Sequence, residues 1–262
     1  MVTPIIHWPA EAIWEEIYPS LPEFSVEVVR EIDSTNTELM RRARSGSTEP
    51  ILLVAAHQTA GRGRLGREWV SEGGIQTLTF SLGMPLAPAD WSGLSLAVGL
   101  SLVQSLHPAL QLKWPNDVWF NGRKMAGILI ETYAMKYAVI GIGINIAPLP
   151  AERENSLRTP SASLSELLPE ASAPSALGMV ATPLVRMVQQ FVLSGFEPLQ
   201  SAYHARDALY GQSVTCSDGQ AGIARGVDTD GTLLLEVPDY GWKKINSAEV
   251  SVKPSQPINP LC

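Results

Sequence analysis

The sequence predicts an α/β (α+β) body built on a mixed sheet with packed helices, followed by a small all-β module. Three observations carry that expectation. Apolar runs of strand length at residues 51–56, 77–82 and 137–145 are separated by stretches of helical periodicity, the pattern of a sheet covered by helices. From about Leu209 the texture changes to short strands with turn residues between them. The chain, 262 residues with 45% hydrophobic and 17% charged, is large enough to bury a full core and carry a second small module. The expected division is a body of residues 1–207 and a module of residues 208–262.

Residues 1–30, with Trp8, Trp14 and several prolines, read as a leading segment that docks on the body, since so short a stretch rarely folds alone. Asp33-Ser34-Thr35-Asn36 precedes a helix expected over residues 37–44, with Thr35 and Glu38 at capping-box spacing and Gly46 as its stop. The spacing favours a plain helix cap over a site for a polar ligand edge. Residues 90–106 read as a helix buried on most sides. Residues 148–175, rich in Pro, Ser, Ala and Glu, read as a loop, with a packing helix over 179–196 and Pro183 near its start. In the last module, residues 213–216, 221–226 and 232–237 read as strands and Asp230-Gly231 as a hairpin turn.

Net charge and cysteine content narrow the classes of function. A formal charge of −7 disfavours a general nucleic-acid binder. Cys216 and Cys262 make no disulfide framework and point to a reducing compartment. The first residues, with Glu11, Glu15 and Glu16, lack the progression of a signal peptide, and no apolar run is long enough to span a bilayer, so the expected location is the cytoplasm. His7, His57, His107 and His204 are scattered, so no His/Cys metal site is expected.

Against that acidic background stands Gly61-Arg62-Gly63-Arg64-Leu65-Gly66-Arg67, slung between two expected strands. Glycines let a backbone approach a ligand, and guanidinium groups offer planar forks matched to carboxylate and phosphate oxygens. The segment fits neither the Walker pattern nor the dinucleotide fingerprint, so alone it reads equally as an Arg/Gly linker. About fifty residues later comes Lys113-Trp114-Pro115-Asn116-Asp117. Asn121-Gly122 then makes a two-residue hairpin, which pairs Phe120 with Arg123 and Trp119 with Lys124. Asp117 and Lys124 thereby share a face at a diagonal of roughly 7–8 Å. A solvated ion pair would stabilise little; the apolar surroundings favour a working pair. In residues 137–145, Ile140, Ile142 and Ile144 alternate with Gly141, Gly143 and Asn145. A glycine face marks close approach by a ligand or by another backbone, with tight helix packing as the plain alternative.

Ser34-Thr35-Asn36, Gln58 with GRGRLGREW, KWPNDV, RKMAGILIE and GIGIN stand in an order and spacing that resemble the biotin protein ligases, over residues from about 30 to 250. The resemblance implies a class II synthetase-like catalytic domain and a C-terminal SH3-like barrel. It implies two half-reactions, in which biotin and MgATP give biotinyl-5'-AMP and pyrophosphate and a lysine of the biotin carboxyl carrier protein then takes the biotinyl group. It places Ser34, Thr35, Asn36, Gln58, Gly61, Arg62, Arg64, Lys124, Gly127, Gly141 and Gly143 around biotin. ATP falls to Arg62, Arg64, Arg67, Trp69, Asn116, Lys124 and Asn145. Lys124, Asp117 and Arg64 are the implied catalytic groups, with Asp117 helping the acceptor amine lose its proton, and magnesium arrives with the phosphates.

Two departures from the family pattern stand out. Leu65 sits where many relatives carry arginine, and Gly74-Ile75-Gln76-Thr77 replaces a glycine-then-asparagine entry to the next strand. About thirty residues precede the Ser-Thr-Asn block, too few for a winged helix, so the expectation is a monofunctional ligase that binds neither DNA nor membrane, as monomer or homodimer. A lipoate protein ligase is the nearest alternative, disfavoured by GRGRLGR together with KWPND. A nucleic-acid module stacking bases on Trp114 and Trp119 is the alternative from another class.

Overall fold

In a computed structural model the described residues are 6–71, 76–155, 157, 159–246 and 252–255. Gly74, Ile75 and Cys262 therefore lie outside them. In chain order the elements are α1 (Ala10–Ile17), β1 (Ser25–Val29), α2 (Thr35–Arg44), β2 (Ile51–Ala55), β3 (Thr77–Pro85), α3 (Leu94–Leu106), β4 (Gln111–Lys113), β5 (Asp117–Phe120), β6 (Arg123–Tyr133) and β7 (Tyr137–Asn145). After them come α4 (Ala151–Glu154), α5 (Ala173–Ser194), α6 (Gln200–His204), β8 (Ser213–Cys216), β9 (Ala221–Val227), β10 (Leu233–Val237), β11 (Gly241–Ile245) and β12 (Val252–Pro254). They form two compact units, residues 1–87 with 125–185, and residues 88–124 with 186–262.

The first unit is a mixed sheet in the order β1-β2-β3-β7-β6, with β1 parallel to β2 and the remaining pairs antiparallel. β1 belongs to residues read as a leading segment. Its Glu27 is an edge position held by Arg42 of α2, which conceals the strand from a hydrophobic count. β3 and β7 are buried along nearly their whole length. Leu78, Phe80 and Leu82 share one face with Ile140, Ile142 and Ile144 and form core. The opposite face carries Thr77, Thr79 and Ser81 beside Asn145, Gly143 and Gly141. α2 lies along the lower part of that polar face, where Leu39, Met40 and Ala43 pack with Leu53, Tyr137 and Val139. Its first turn thus arrives over Gly141.

Four local expectations need correction. α2 starts at Thr35 with Ser34 as its cap, accepting from the Thr37 amide at 3.4 Å, and Glu38 pairs with Arg41 and Arg42 instead of closing a capping box. Gly46, at φ +99°, does follow the end of the helix. α3 begins at Leu94, four residues late, because Asp90 turns the chain by accepting from the Ser92 amide. α5 begins at Ala173, inside the segment read as loop, and Pro183 falls in its middle. Ser172 accepts from the Ser175 amide at this start, and Pro174 sits in the first turn, where no helical N–H is needed.

α5 has the length and apolar composition to cross a membrane, contrary to the expectation that no apolar run is long enough. Its buried stripe of Ala176, Leu177, Val180, Leu184, Val188 and Phe191, opposite exposed Arg186 and Gln190, is that of an amphipathic core helix.

In the second unit β4 and β5 pair antiparallel, α3 is buried on most sides, and five strands form an antiparallel sheet in the order β11-β10-β9-β8-β12. The link from β9 to β10 is longer than a two-residue turn. Asp228 and Thr232 close it, the Gly231 amide donates to the Asp228 carbonyl, and the indole of fully buried Trp114 donates to the Gly231 carbonyl at 3.0 Å. Cys216 is a buried free thiol whose pKa burial pushes up to about 11.

Candidate active site

The polar face of the first unit is a connected set of hydrogen bonds. Gln58 Oε1 accepts from the Thr35 amide at 2.7 Å and from the Thr35 hydroxyl at 3.0 Å. Ser81 Oγ lies 2.6 Å from Thr35 Oγ1 and 2.7 Å from Asn36 Oδ1, its one proton shared between them. Asn36 Nδ2 donates to the Leu129 carbonyl at 3.2 Å and to Glu131 Oε2 at 3.0 Å. Ser34, Thr35, Asn36, Gln58 and Ser81 are all buried. Buried polar groups cost free energy unless paired, so a satisfied network of this density fixes the geometry of the face.

The glycines explain how those side chains reach the sheet. A Cβ at Gly141 would collide with the Asn36 amide, and a Cβ at Gly143 with the Trp69 ring. Gly127 is registered opposite Gly143. The close approach that the bare strand permits is therefore made by the protein's own amide and indole. At the end of β7, Asn145 is buried and donates to the Ala162 carbonyl at 3.1 Å.

The arginine loop rises beside this face. Its roots are joined by the Trp69 amide donating to the Gly61 carbonyl at 3.0 Å and the Gln58 amide donating to Ser71 Oγ at 3.2 Å. Nearer the tip the Gly63 amide donates to the Arg67 carbonyl at 2.7 Å. Leu65 adopts φ +54°, an unfavourable left-handed conformation for a leucine, and is exposed, with Arg64 half-buried and Arg67 exposed. Arg62 is turned onto β6, its Nη2 3.0 Å from Glu131 Oε1 and its Nη1 3.2 Å from Glu131 Oε2.

In the second unit Asn121 and Gly122, at φ +48° and +72°, form the expected tight turn. Lys124 Nζ sits 2.7 Å from Asp117 Oδ1, both side chains largely shielded. Lys113, registered opposite Asp117, places its ammonium 5.3 Å from the centre of the Trp119 ring. Asn116 is half-buried in the preceding turn. Trp114 and Trp119 are buried, so neither offers a face on which a base could stack.

The family model for biotin/lipoate A/B protein ligases matches residues 28–145. The chain is 35% identical over 230 residues to a biotin–[acetyl-CoA-carboxylase] ligase of Mycobacterium tuberculosis, covering 81% of this chain and 83% of that protein. It is 36% identical over 233 residues to the enzyme of the same name from Paracoccus denitrificans, covering 83% and 96%. The chain belongs to the biotin/lipoate protein ligase family. A solved structure of the Aquifex aeolicus biotin protein ligase in complex with biotin and ATP superposes with a TM-score of 0.75 at 28% identity, over 88% of this chain and 99% of that one.

Sequence reasoning missed Ser81 and Glu131 in this chain. Their signal was strand parity. Thr77, Thr79 and Ser81 form an alternating polar series on a buried strand, and Gly127, Leu129 and Glu131 share the parity of the glycine face.

Proposed function

We propose that the protein is an ATP-dependent ligase that activates biotin as biotinyl-5'-AMP and transfers it to a lysine of the biotin carboxyl carrier protein of acetyl-CoA carboxylase. The observation that carries this reading is the satisfied polar face of Thr35, Asn36, Gln58 and Ser81 flanked by an arginine loop, in a chain whose relatives are named for biotin. A fused cyclic urea offers one carbonyl acceptor and two N–H donors. Ser34, Thr35, Asn36 and Gln58 supply complementary groups, and Gly61, Gly141 and Gly143 let Trp69 and Asn36 pack closely enough to shape that face, with Gly127 beside them.

In the first step a carboxylate oxygen of biotin bonds to the α-phosphorus of ATP and the bond to the β-phosphate bridge breaks, releasing pyrophosphate. Two anions must meet, so fixed cations are the main requirement. Arg64, Arg67 and Lys124 supply them, while Trp69 packs by the adenine and Asn116 and Asn145 complete the nucleotide site. Magnesium enters as MgATP. It would reach the site already held by the nucleotide's phosphate oxygens and its own waters.

In the second step the acceptor lysine's amine bonds to the acyl carbon and AMP leaves. Asp117 takes the proton the amine sheds. The domains are a catalytic body of residues 1–207 and an SH3-like module of residues 208–262, working in the cytoplasm.

Lys124→Ala should lower biotin-dependent ATP–pyrophosphate exchange by about 10²–10³ while the protein stays folded. Exchange at the parental rate would remove Lys124 from the mechanism. Lipoate supporting exchange in place of biotin would overturn the substrate assignment.

A further inference from the structure

We propose that Glu131 is a positioning residue that clasps Arg62, so that Arg62 moors the arginine loop to β6 and leaves anion binding to the other cations of the site. The inference rests on the ligase reading and revises one part of it, the expectation that Arg62 meets biotin or phosphate directly.

Three observations support it. Both outer nitrogens of Arg62 are engaged by the two oxygens of one carboxylate, at 3.0 and 3.2 Å, which uses the planar fork that would otherwise grip a phosphate. Glu131 is also the acceptor for Asn36 Nδ2 at 3.0 Å, so the clasp is continuous with the chain from Asn36 through Ser81 and Thr35 to Gln58. Gln58 stands just before the loop and is tied to Ser71 just after it. The roots of the segment are thus tied to each other and, through Gln58, to Thr35 of α2, and Arg62 adds a hold on β6.

Electrostatics gives the clasp a second purpose. A bare carboxylate beside a face that receives an acid and a triphosphate would repel both. Paired with Arg62 it is neutralised. An ammonium could cancel the charge but could not hold two oxygens in one plane, so lysine is a poor substitute for Arg62.

Glu131→Gln keeps an acceptor for Asn36 and removes the ionic fork. The expected result is a rise of about tenfold in KM for biotin and for ATP with kcat within about twofold, the signature of weakened binding geometry rather than lost chemistry. In the protein without substrates, trypsin should cut after Arg64 and Arg67 about tenfold faster, as expected if the loop is released from its mooring. Arg62→Gln should do the same, and the double variant should be no worse than either single one, because both remove a single interaction. Arg62→Lys should not restore the parental values. If Glu131→Gln has parental KM and cleavage rates, or if the two substitutions add, the clasp is wrong. Should Glu131→Gln unfold, Arg62→Gln at the exposed partner carries both measurements. A parent protein without biotin-dependent exchange would sink the ligase reading, and the substrate-free trypsin comparison would still decide the clasp.

Discussion

The polar face of the first unit and the Asp207 corner of the second both bury polar groups, with opposite consequences. On the first, Thr35, Asn36, Gln58 and Ser81 satisfy one another, and Glu131 accepts from Asn36 and Arg62. In the second, Asp207 Oδ1 accepts from the Leu209 amide at 2.8 Å, but Oδ2 and the hydroxyl of neighbouring Tyr203 are buried with no hydrogen bond. Burial pushes the Asp207 carboxyl up to about 6 and, together with the Asp207 charge, holds the Tyr203 phenol well above its ordinary value. A saturated network holds an arrangement in place, whereas a half-satisfied carboxylate costs stability.

The largest expected effect comes from breaking the saturated side. Gly141→Ala places a methyl against the Asn36 amide and displaces the hub between Ser81 and Glu131. Biotin-dependent exchange should fall by about 100-fold, the loss associated with a shift of roughly 1 Å in a catalytic arrangement. Parental activity would show that Asn36 need not be held there.

The half-satisfied side should respond in the opposite sense. Asp207 has a folded pKa above its ordinary value of 3.8, so the folded state holds the proton more tightly and stability falls as pH rises from about 4 through about 6. Asp207→Asn keeps an acceptor for the Leu209 amide and should abolish that decline, gaining at most about 3 kcal/mol at pH 7 and almost nothing near pH 4. Urea titrations at the two pH values measure it, and an equal effect at both would exclude ionisation as the cause.

The smallest effect belongs to the rim of the first unit. The hydrogen bond from Arg42, and secondarily its charge, holds the Glu27 carboxyl below the usual carboxylate range. That contribution is present above the unfolded pKa and lost as pH falls through the folded one. Both side chains are about a third exposed, so Glu27→Gln should cost less than about 1 kcal/mol at neutral pH, and the difference from the parent should vanish in acid. A cost that persists in acid would point to packing instead.

Much of the fold followed from rules that act within a few residues. Asn121-Gly122 specifies its hairpin by turn chemistry and thereby brings Asp117 to Lys124. Gly46 ends α2 because it tolerates positive φ. The same local rules misplaced the start of α5, since Ser172, Ala173 and Pro174 have a loop's composition and become a helix start only when the following apolar stripe is buried. Trp114 was legible as an aromatic near a motif but not as a fully buried anchor for Gly231, 117 residues away.

The sequence by itself determined the arginine loop, the Asp117–Lys124 hairpin and the bare parity of β7, because turn geometry, charge and strand alternation are written in neighbouring positions. Tertiary structure alone decided that Ser81 meets Asn36 across 45 residues and that Glu131 meets Asn36 across 95 and Arg62 across 69. Those meetings depend on the register of β3, β7 and β6, which the packing of the whole sheet sets and no single segment encodes.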